Sequence, residues 1–483
     1  MKPRTWRLPP IETYPRAVAV VQTVWGKLLL LAVFALVLKT LVNLSLQMTV
    51  SAALVAMAGR HRMKVALAAA VALLLREPYW YGYGELDEAI LIQAGLGDRV
   101  SNEILRGSTW LLCAPVAFLA LILARRFRSH AIGKRVVLLQ HAVCLGLIGF
   151  ASSHILTGMP QALLWSVTLT LTAYFWYLAY ALVGQSRKNP PSLVAHFATF
   201  HPFFAPHTMV PFGKGALDWL NVEAKDTDAL ARTQLKGLKL LVWAFLLRTL
   251  QWGLQRVIYV GLGVPPLNGA FREFLDSGQA PALSFASLVF NFPDQLLSMA
   301  VMGHAFIATA RLAGFGMLRN TYRPLSSRSI AEFWNRYFFY FKELMVHIYF
   351  YPTYLRWFKS YPRLRMAFAT FMAAGVGNFF FHFLQEEKTL VARGPWETAL
   401  GMETYVFYCV VLVAGIVISQ LRGHRIDPSA GWWRRQFFPS LWVAIFYGFL
   451  SFFDSTRVLV DLDQHFGFLS QVVGIEPWIR AIG

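Results

Sequence analysis

Long apolar segments alternate with short polar loops along most of this chain. A helix needs about 20 mostly apolar residues to cross a bilayer, and ten segments approach that length: 27–46, 63–75, 109–124, 136–156, 161–183, 238–262, 283–310, 366–384, 403–421 and 438–453. One further apolar stretch, 337–354, is interrupted by polar residues. The pattern predicts an all-α, polytopic helical membrane protein with about eleven transmembrane helices.

The composition agrees with a membrane protein and disfavours other classes. Of the 483 residues, 56% are hydrophobic and only 14% are charged, whereas a soluble domain carries about 25% charged residues. A soluble enzyme, a disordered chain and a nucleic-acid binder are therefore poor fits, and the expected partner is the lipid bilayer. The three cysteines all lie in apolar segments and form no CxxC pair, so neither a disulfide framework nor a zinc site is predicted.

The net charge of +20 is explained by the loops between the apolar segments. Basic residues are concentrated in four of them, 125–135, 187–188, 311–328 and 422–435, while 77–103, 158–160, 263–281 and 386–397 are weakly charged or acidic. Cytoplasmic loops are enriched in Lys and Arg, so we expect the four basic loops to lie in the cytoplasm. The N-terminal region does not fit this rule, because basic residues near positions 2–7 and 60–64 flank a single apolar segment.

No repeat or linker divides the chain, so we expect a single membrane domain, 1–483. It would comprise N-terminal helices (1–190), a core (191–425) and a C-terminal helix with its tail (426–483). The first long apolar segment has no small-residue cleavage site behind it, which favours a retained helix over a removed signal peptide.

The segment 196–214 is apolar and aromatic, but its prolines prevent a continuous helix. Non-helical backbone at membrane depth needs a covering of protein or a water-filled cavity, so a re-entrant or interfacial turn is expected around 202–211. The spacing of His196, His201 and His207 fits no standard metal-ligand pattern. Interfacial histidines are the favoured interpretation, and no metal site is predicted.

The segment 329–353 mixes aromatic and charged residues. Ser329 and Glu332 have the spacing of a capping box, which predicts a helix start at this point. The charges of Arg336, Lys342 and Glu343 make this region too polar for a lipid-facing span. It is either an amphipathic helix on the membrane surface or a helix that lines a cavity.

Asn378 and His382 are four residues apart in an apolar segment and therefore share one face of a helix. A membrane histidine is often hydrogen-bonded to a neighbouring helix for structural reasons. It can also belong to a functional site, because polar groups in the membrane are costly. The residues alone leave both interpretations open.

Taken in order, these segments resemble the membrane-bound O-acyltransferase (MBOAT) superfamily, in particular its bacterial branch that acylates exported polysaccharides and cell-wall polymers. Phe204-Ala205-Pro206 stands near the family's Gly-Pro pair, and Lys236-Gly237-Leu238-Lys239 near its Gly-Leu-Lys stretch. Ser329 with Phe333-Trp334-Asn335-Arg336-Tyr337-Phe338 and the later Tyr351-Pro352 resemble its next motifs. His382 follows at the spacing of the family's histidine. Ala205 replaces the family's glycine, and Phe338 stands where the family has Asn or His.

The resemblance implies horizontal helices around 202–211 and 330–350 and a central tunnel. It implies transfer of an acyl group from a cytoplasmic thioester, acyl-CoA or an acyl carrier, to a hydroxyl of an exported glycan, lipid or small acceptor. His382 would act as general base, with Asn335 in place of the missing residue at Phe338. Asn378, Arg336, Lys342 and Glu343 are the expected substrate-binding residues.

The same resemblance suggests a bacterial inner membrane, a periplasmic or membrane partner of a glycan-modification system, and no bound cofactor. Two other functions remain open. A non-enzymatic transporter or scaffold on the same fold would explain Phe338. A membrane glycosyltransferase with a lipid-linked donor would use acidic residues such as Glu85, Asp87 and Glu88.

Overall fold

The computed structural model describes residues 9–42, 46–76, 83–130, 133–205, 208–422, 431–455 and 460–474. Within these ranges the regular structure is helical, with one isolated β-bridge between Glu223 and Phe315. Seven helices in the described ranges are long and apolar enough to cross a membrane: Val24–Leu41, Asn102–Arg126, Gly133–Ser152, Ser284–Leu312, Pro362–Phe383, Glu403–Arg422 and Trp433–Asp454. The prediction of an all-α membrane protein is thus confirmed.

An eighth candidate span is broken. Gly158–Ala173 and Phe175–Gln185 are together long and apolar enough to cross a membrane, but they bend by 67° at their junction. The other helices of four or more residues are Pro15–Gln22, Leu46–Met57, Arg62–Arg76, Tyr83–Gln93, Leu193–Ala198, Ala216–Val222, Thr227–Gln255 with its π-helical extension Arg256–Gly261, Leu267–Ser277, Ile330–Tyr337, Phe339–Met345 with the π-helix Val346–Phe350, Tyr351–Arg356, Glu387–Leu400 and Leu462–Val473.

The seven or eight spans among the described residues are fewer than the expected eleven, for local reasons. The predicted span 63–75 forms Arg62–Arg76, which has only 15 residues. The predicted span 238–262 begins inside the helix Thr227–Gln255, and Lys239 and Arg248 lie within it. Apolar segments therefore outnumber the helices that can cross a membrane by length and composition.

The longest antiparallel contact joins Thr227–Gln255 to Ser284–Leu312. Gln234 donates to the Leu312 carbonyl (3.0 Å) at one end, and Gln251 donates to Asp294 Oδ1 (2.8 Å) at the other. A Cβ atom at Gly237 would lie 3.0 Å from the Ala308 carbonyl oxygen, so the missing side chain lets the two backbones approach closely.

The basic loops meet in pairs. Gln436 donates to the Ser326 carbonyl (2.9 Å), which brings the loop 311–328 beside the loop 422–435. Arg128 donates to the Lys188 carbonyl (3.1 Å), which joins 125–135 to 187–188. Residues 131–132 and 423–430 of these loops lie outside the described ranges. Contact within each pair agrees with the expectation that the basic loops of that pair share one side of the membrane.

Neither of the two segments expected to be horizontal or re-entrant is a straight span. Between Leu193–Ala198 and Ala216–Val222 the described backbone is irregular, and its aromatic residues Phe203, Phe204 and Phe212 are buried. The Tyr177 hydroxyl donates to the Thr208 carbonyl (2.8 Å), which satisfies part of this non-helical backbone. Pro206 and His207 lie outside the described ranges.

The segment 330–350 consists of short helices. Ser329 accepts a hydrogen bond from the Glu332 amide (3.1 Å), and Glu332 accepts one from the Arg328 amide (2.7 Å), so the predicted capping interaction is confirmed. The helix ends at Tyr337, and Phe338 has non-helical backbone angles. The chain therefore changes direction at the position where the family resemblance placed a polar residue.

Candidate functional site

A cavity of about 340 Å³ lies among the helices of the C-terminal half. The irregular segment 208–212 and the middle of Ser284–Leu312 form one wall. Trp334, Phe338 and Phe341 form another. Most of the polar groups that reach the cavity come from Pro362–Phe383 and the residues just after it, the start of Glu403–Arg422 and the end of Trp433–Asp454. Thr208 and Tyr337 add hydroxyl groups from the other walls. The cavity is thus largely aromatic, with polar residues among the rings.

His382 lines this cavity, near the C-terminal end of Pro362–Phe383. Its half-buried ring lies 4.3 Å from the Tyr405 ring, centroid to centroid, and 6.4 Å from the Phe341 ring. Thr370, earlier in the same helix, donates to Gln420 (2.9 Å), close to the basic loop 422–435. His382 is twelve positions after Thr370, which corresponds to at most about 18 Å of helix, because the π-helical part Phe371–Gly377 rises less per residue than an α-helix. His382 therefore lies far from that basic loop.

Asn378 also lines the cavity and is only 1% exposed. Its side-chain nitrogen is buried and has no hydrogen-bond partner in the protein. An unpaired buried amide costs about 1–3 kcal/mol, so a bound molecule with an acceptor oxygen would stabilise this position. The predicted sharing of one helical face by Asn378 and His382 is confirmed, because both side chains reach the same cavity.

Tyr405, Tyr408 and Asp454 are cavity residues that the sequence analysis did not identify. The Tyr405 hydroxyl donates to Asp454 Oδ1 (3.2 Å), so the ring that packs against His382 is tied to a carboxylate. Asp454 directly follows the predicted span 438–453. A carboxylate at the end of an apolar helix was the available signal, since such groups seldom face lipid.

Phe338 stands where the family resemblance implies a second polar catalytic residue, and its surroundings are also aromatic. Phe338 lines the cavity and packs against Phe341 at 5.7 Å. Asn335 is exposed and does not line the cavity. The structure therefore brings Asn378 to His382 and leaves Asn335, the proposed substitute, outside the cavity.

The three charged residues expected to bind substrate interact mainly with other protein groups. Arg336 forms an ion pair with Glu332 (2.5 Å). Glu343 lies between Lys342, which contacts its Oε1, and Lys214, whose Nζ is 2.5 Å from its Oε2. Burial raises the pKa of Glu343, but hydrogen bonds from the two lysines outweigh it and hold the pKa below its usual value. None of the three lines the cavity.

The histidines of the Pro-rich segment lie in different surroundings. His196 is 1% exposed, and neither ring nitrogen has a hydrogen-bond partner. Burial lowers its pKa to about 4, so the ring is neutral. His201 lies 3.0 Å from the Tyr174 hydroxyl. In the described part of the chain, no three His, Cys, Asp or Glu residues are grouped so that they could hold a metal ion.

Of the acidic residues expected of a glycosyltransferase, the Glu85 side chain lies outside the described part of the structure, and Asp87 and Glu88 do not share an open site. Asp87 is fully buried, and its Oδ2 accepts a hydrogen bond from Arg106 (2.7 Å). Glu88 is exposed on the same helix. The Asp87–Arg106 pair joins two helices and has the form of a structural ion pair.

Comparison with known proteins gives no relative from which a function could be transferred: no protein-family model matches the chain, and no curated protein matches it.

Proposed function

We propose that this protein is a membrane O-acyltransferase that moves an acyl group from a cytoplasmic thioester donor to an acceptor hydroxyl. One observation carries the proposal: His382 and the unpaired amide nitrogen of Asn378 reach the same cavity, among helices that are apolar enough to cross a membrane. A base and a hydrogen-bond donor in one partly dry space are the two groups that this reaction needs.

In this mechanism the neutral His382 ring accepts the proton of the acceptor hydroxyl as its oxygen attacks the thioester carbonyl. The carbon–oxygen bond forms, the carbon–sulfur bond breaks, and the proton is passed to the departing thiolate. A histidine suits this role because its ordinary pKa lies near working pH. Tyr405 packs against the ring on one side and is tied to Asp454, which limits the orientations of the ring.

The route of the two substrates is also part of the proposal. The donor would enter from the side of the basic loops, pass the aromatic residues Phe338 and Phe341, and bring its thioester to His382. The acceptor would approach from the other side, where Asp454 lies. What supports this division is the distance of His382 from the loop 422–435, together with the position of Phe338, Phe341 and Asp454 around the same cavity.

The test is thioester hydrolysis by the purified protein in lipid vesicles, with water taking the place of the acceptor hydroxyl. Thiol release from a labelled acyl-CoA series then reports attack on the thioester, and the acyl group leaves as the free acid. His382→Ala should lower the rate by about 10²–10⁴. His141→Ala is the matched control: His141 is also a membrane histidine, it contacts the Tyr349 hydroxyl (2.7 Å), and it lies outside the cavity. The His141→Ala variant should retain its activity per folded molecule. Full activity in His382→Ala would refute the mechanism.

A second candidate, a non-enzymatic transporter or scaffold, is favoured by Phe338. A polar residue of the family pattern is replaced there by an aromatic ring that lines the cavity, and Asn335 does not replace it. This candidate predicts that the wild-type protein protects a bound acyl-CoA without cleaving it. Thiol release by the wild-type protein, lost in His382→Ala, would exclude it.

A further inference from the structure

A second, much more apolar space lies in the N-terminal half, away from the His382 cavity. It is a groove of about 410 Å³ between Asn102–Arg126, Gly133–Ser152 and the bent pair of helices. Its lining is aliphatic and aromatic except for Gln140, Cys144 and Thr168. Gln140 donates to the Phe175 carbonyl (2.7 Å) and Thr168 to the Leu164 carbonyl (2.6 Å). Apart from Gln140 Oε1, which has no hydrogen-bond partner in the protein, the lining offers almost only apolar surface, and a hydrocarbon chain fits it.

The groove reaches the basic loop 125–135. Phe127, Gly133 and Val136, which line it, belong to this loop or adjoin it. The exposed side chains of Arg126, Arg128 and Lys134 alternate with these lining residues. Arg128 also donates to the Lys188 carbonyl, which brings the basic pair 187–188 to the same place.

This positive charge has no acidic counterpart nearby in the sequence. The loops 125–135 and 187–188 together carry seven Lys and Arg residues, and no Asp or Glu occurs anywhere from position 104 to 217. An apolar groove that ends at a cluster of basic side chains is complementary to one class of molecule in a bilayer. That class is a phospholipid with an anionic head group.

We propose that this groove is a binding site for an anionic phospholipid of the surrounding membrane. One acyl chain lies along the groove beside Ala120 and Val143, and the phosphate lies among Arg126, Arg128 and Lys134. The site requires no covalent step and is independent of the acyl-transfer reaction proposed above.

The test compares lipids that differ only in head group. The full-length protein, reconstituted in nanodiscs with equal amounts of phosphatidylglycerol and phosphatidylcholine of identical chains, is released and its retained lipids are counted by native mass spectrometry. Each basic residue near a charged lipid surface contributes about a fivefold preference. We expect phosphatidylglycerol to be retained at least about fivefold over phosphatidylcholine. Equal retention of the two lipids would overturn the proposal.

Two pairs of variants locate the site. The double variant Arg126→Gln/Lys134→Gln should lose most of the preference for phosphatidylglycerol. The control double variant Arg272→Gln/Arg393→Gln loses the same charge from exposed positions elsewhere and should keep the preference. Ala120→Trp fills this groove and should displace the lipid. Ala117→Trp, one helical turn earlier, fills a different apolar groove and is the control.

The variants can contradict the site even where the wild-type preference is found. Equal loss in the two tryptophan variants, or loss in the Arg272/Arg393 control, would mean that the lipid binds elsewhere, and the assignment to this groove would be wrong. If Ala120→Trp does not fold, Val143→Trp fills the same groove from the neighbouring helix.

Discussion

Replacing Glu343 by Gln tests how the wall of the His382 cavity is held in place. Glu343 is ion-paired with Lys342 and with Lys214, and the side chains of all three are only 13–19% exposed. Lys214 follows the irregular segment 208–212, which lines the cavity, and Glu343 belongs to the short helix that carries Phe341. The carboxylate therefore joins two walls of the cavity.

The magnitude follows from the charges. At neutral pH Glu343 is ionised, because the lysines hold its pKa low, and the glutamine variant leaves two ammonium groups close together without their counter-charge. Removing one member of a buried ion pair costs about 3–5 kcal/mol. Partial exposure and the remaining amide oxygen reduce this cost, so we expect Glu343→Gln to lose about 2 kcal/mol.

The assay can use the protein's own thiols. Cys113, Cys144 and Cys409 are all buried, so a dye that fluoresces on reaction with thiols reports their exposure during heating in detergent. The Tm of Glu343→Gln should fall by a few degrees. Adding Lys214→Met should recover part of the loss, because it removes one of the two uncompensated charges.

The matched control is Asp228→Asn. Its ion pair with Arg232 is equally short (2.6 Å), but the two side chains are 54% and 44% exposed. Such exposed pairs contribute little, so its Tm should hardly change. Strictly additive effects of Lys214→Met and Glu343→Gln, within about 0.5 kcal/mol, would refute the ion-pair argument.

Three further predictions follow from other parts of the fold. A Cβ atom at Gly377 would lie 2.5 Å from the Tyr349 ring, so Gly377→Ala should lower the free energy of unfolding by about 1–3 kcal/mol. The same thiol assay measures this loss, and an unchanged Tm would contradict the close packing. Burial raises the pKa of Glu387 to about 8, whereas the carboxyl of the unfolded chain ionises near 4.5. The free energy of unfolding should therefore fall as the pH rises from 4.5 to 8, and Glu387→Gln should abolish this pH dependence. Cysteines placed singly in each of the basic loops 125–135, 311–328 and 422–435 should all be labelled from the cytoplasmic side by an impermeant reagent, and labelling of one loop from the opposite side would contradict the charge argument.

Several features of the fold could be predicted because they depend on neighbours in the sequence. The apolar segments predicted membrane helices, since length and hydropathy decide whether a helix is compatible with lipid. Ser329 and Glu332 predicted the start of a helix, since a capping interaction involves only adjacent residues. Asn378 and His382 were assigned to one face from helical periodicity alone, and both line the cavity.

Other features depend on contacts between distant parts of the chain and could not be predicted. Tyr405 and Asp454 lie on different helices, and nothing in their sequence distance of 49 residues indicates that they are hydrogen-bonded beside His382. Glu343 was expected to bind substrate, but it is ion-paired with Lys214, which is far from it in the sequence. Asn335 and Trp334 are neighbours in a short helix, but the Trp334 side chain lines the cavity and the Asn335 side chain does not.

The sequence by itself determined the class of protein, most of the segments that can become membrane helices, and the places where proline or a capping residue interrupts or starts a helix. Each is decided by local chemistry: transfer of apolar side chains from water to lipid, and backbone hydrogen bonds within a few residues. The tertiary structure decided which polar groups share a cavity, because that depends on how helices far apart in the chain pack together. His382 was identifiable from its sequence context, but its surroundings, Tyr405 and Asp454, exist only in the folded protein.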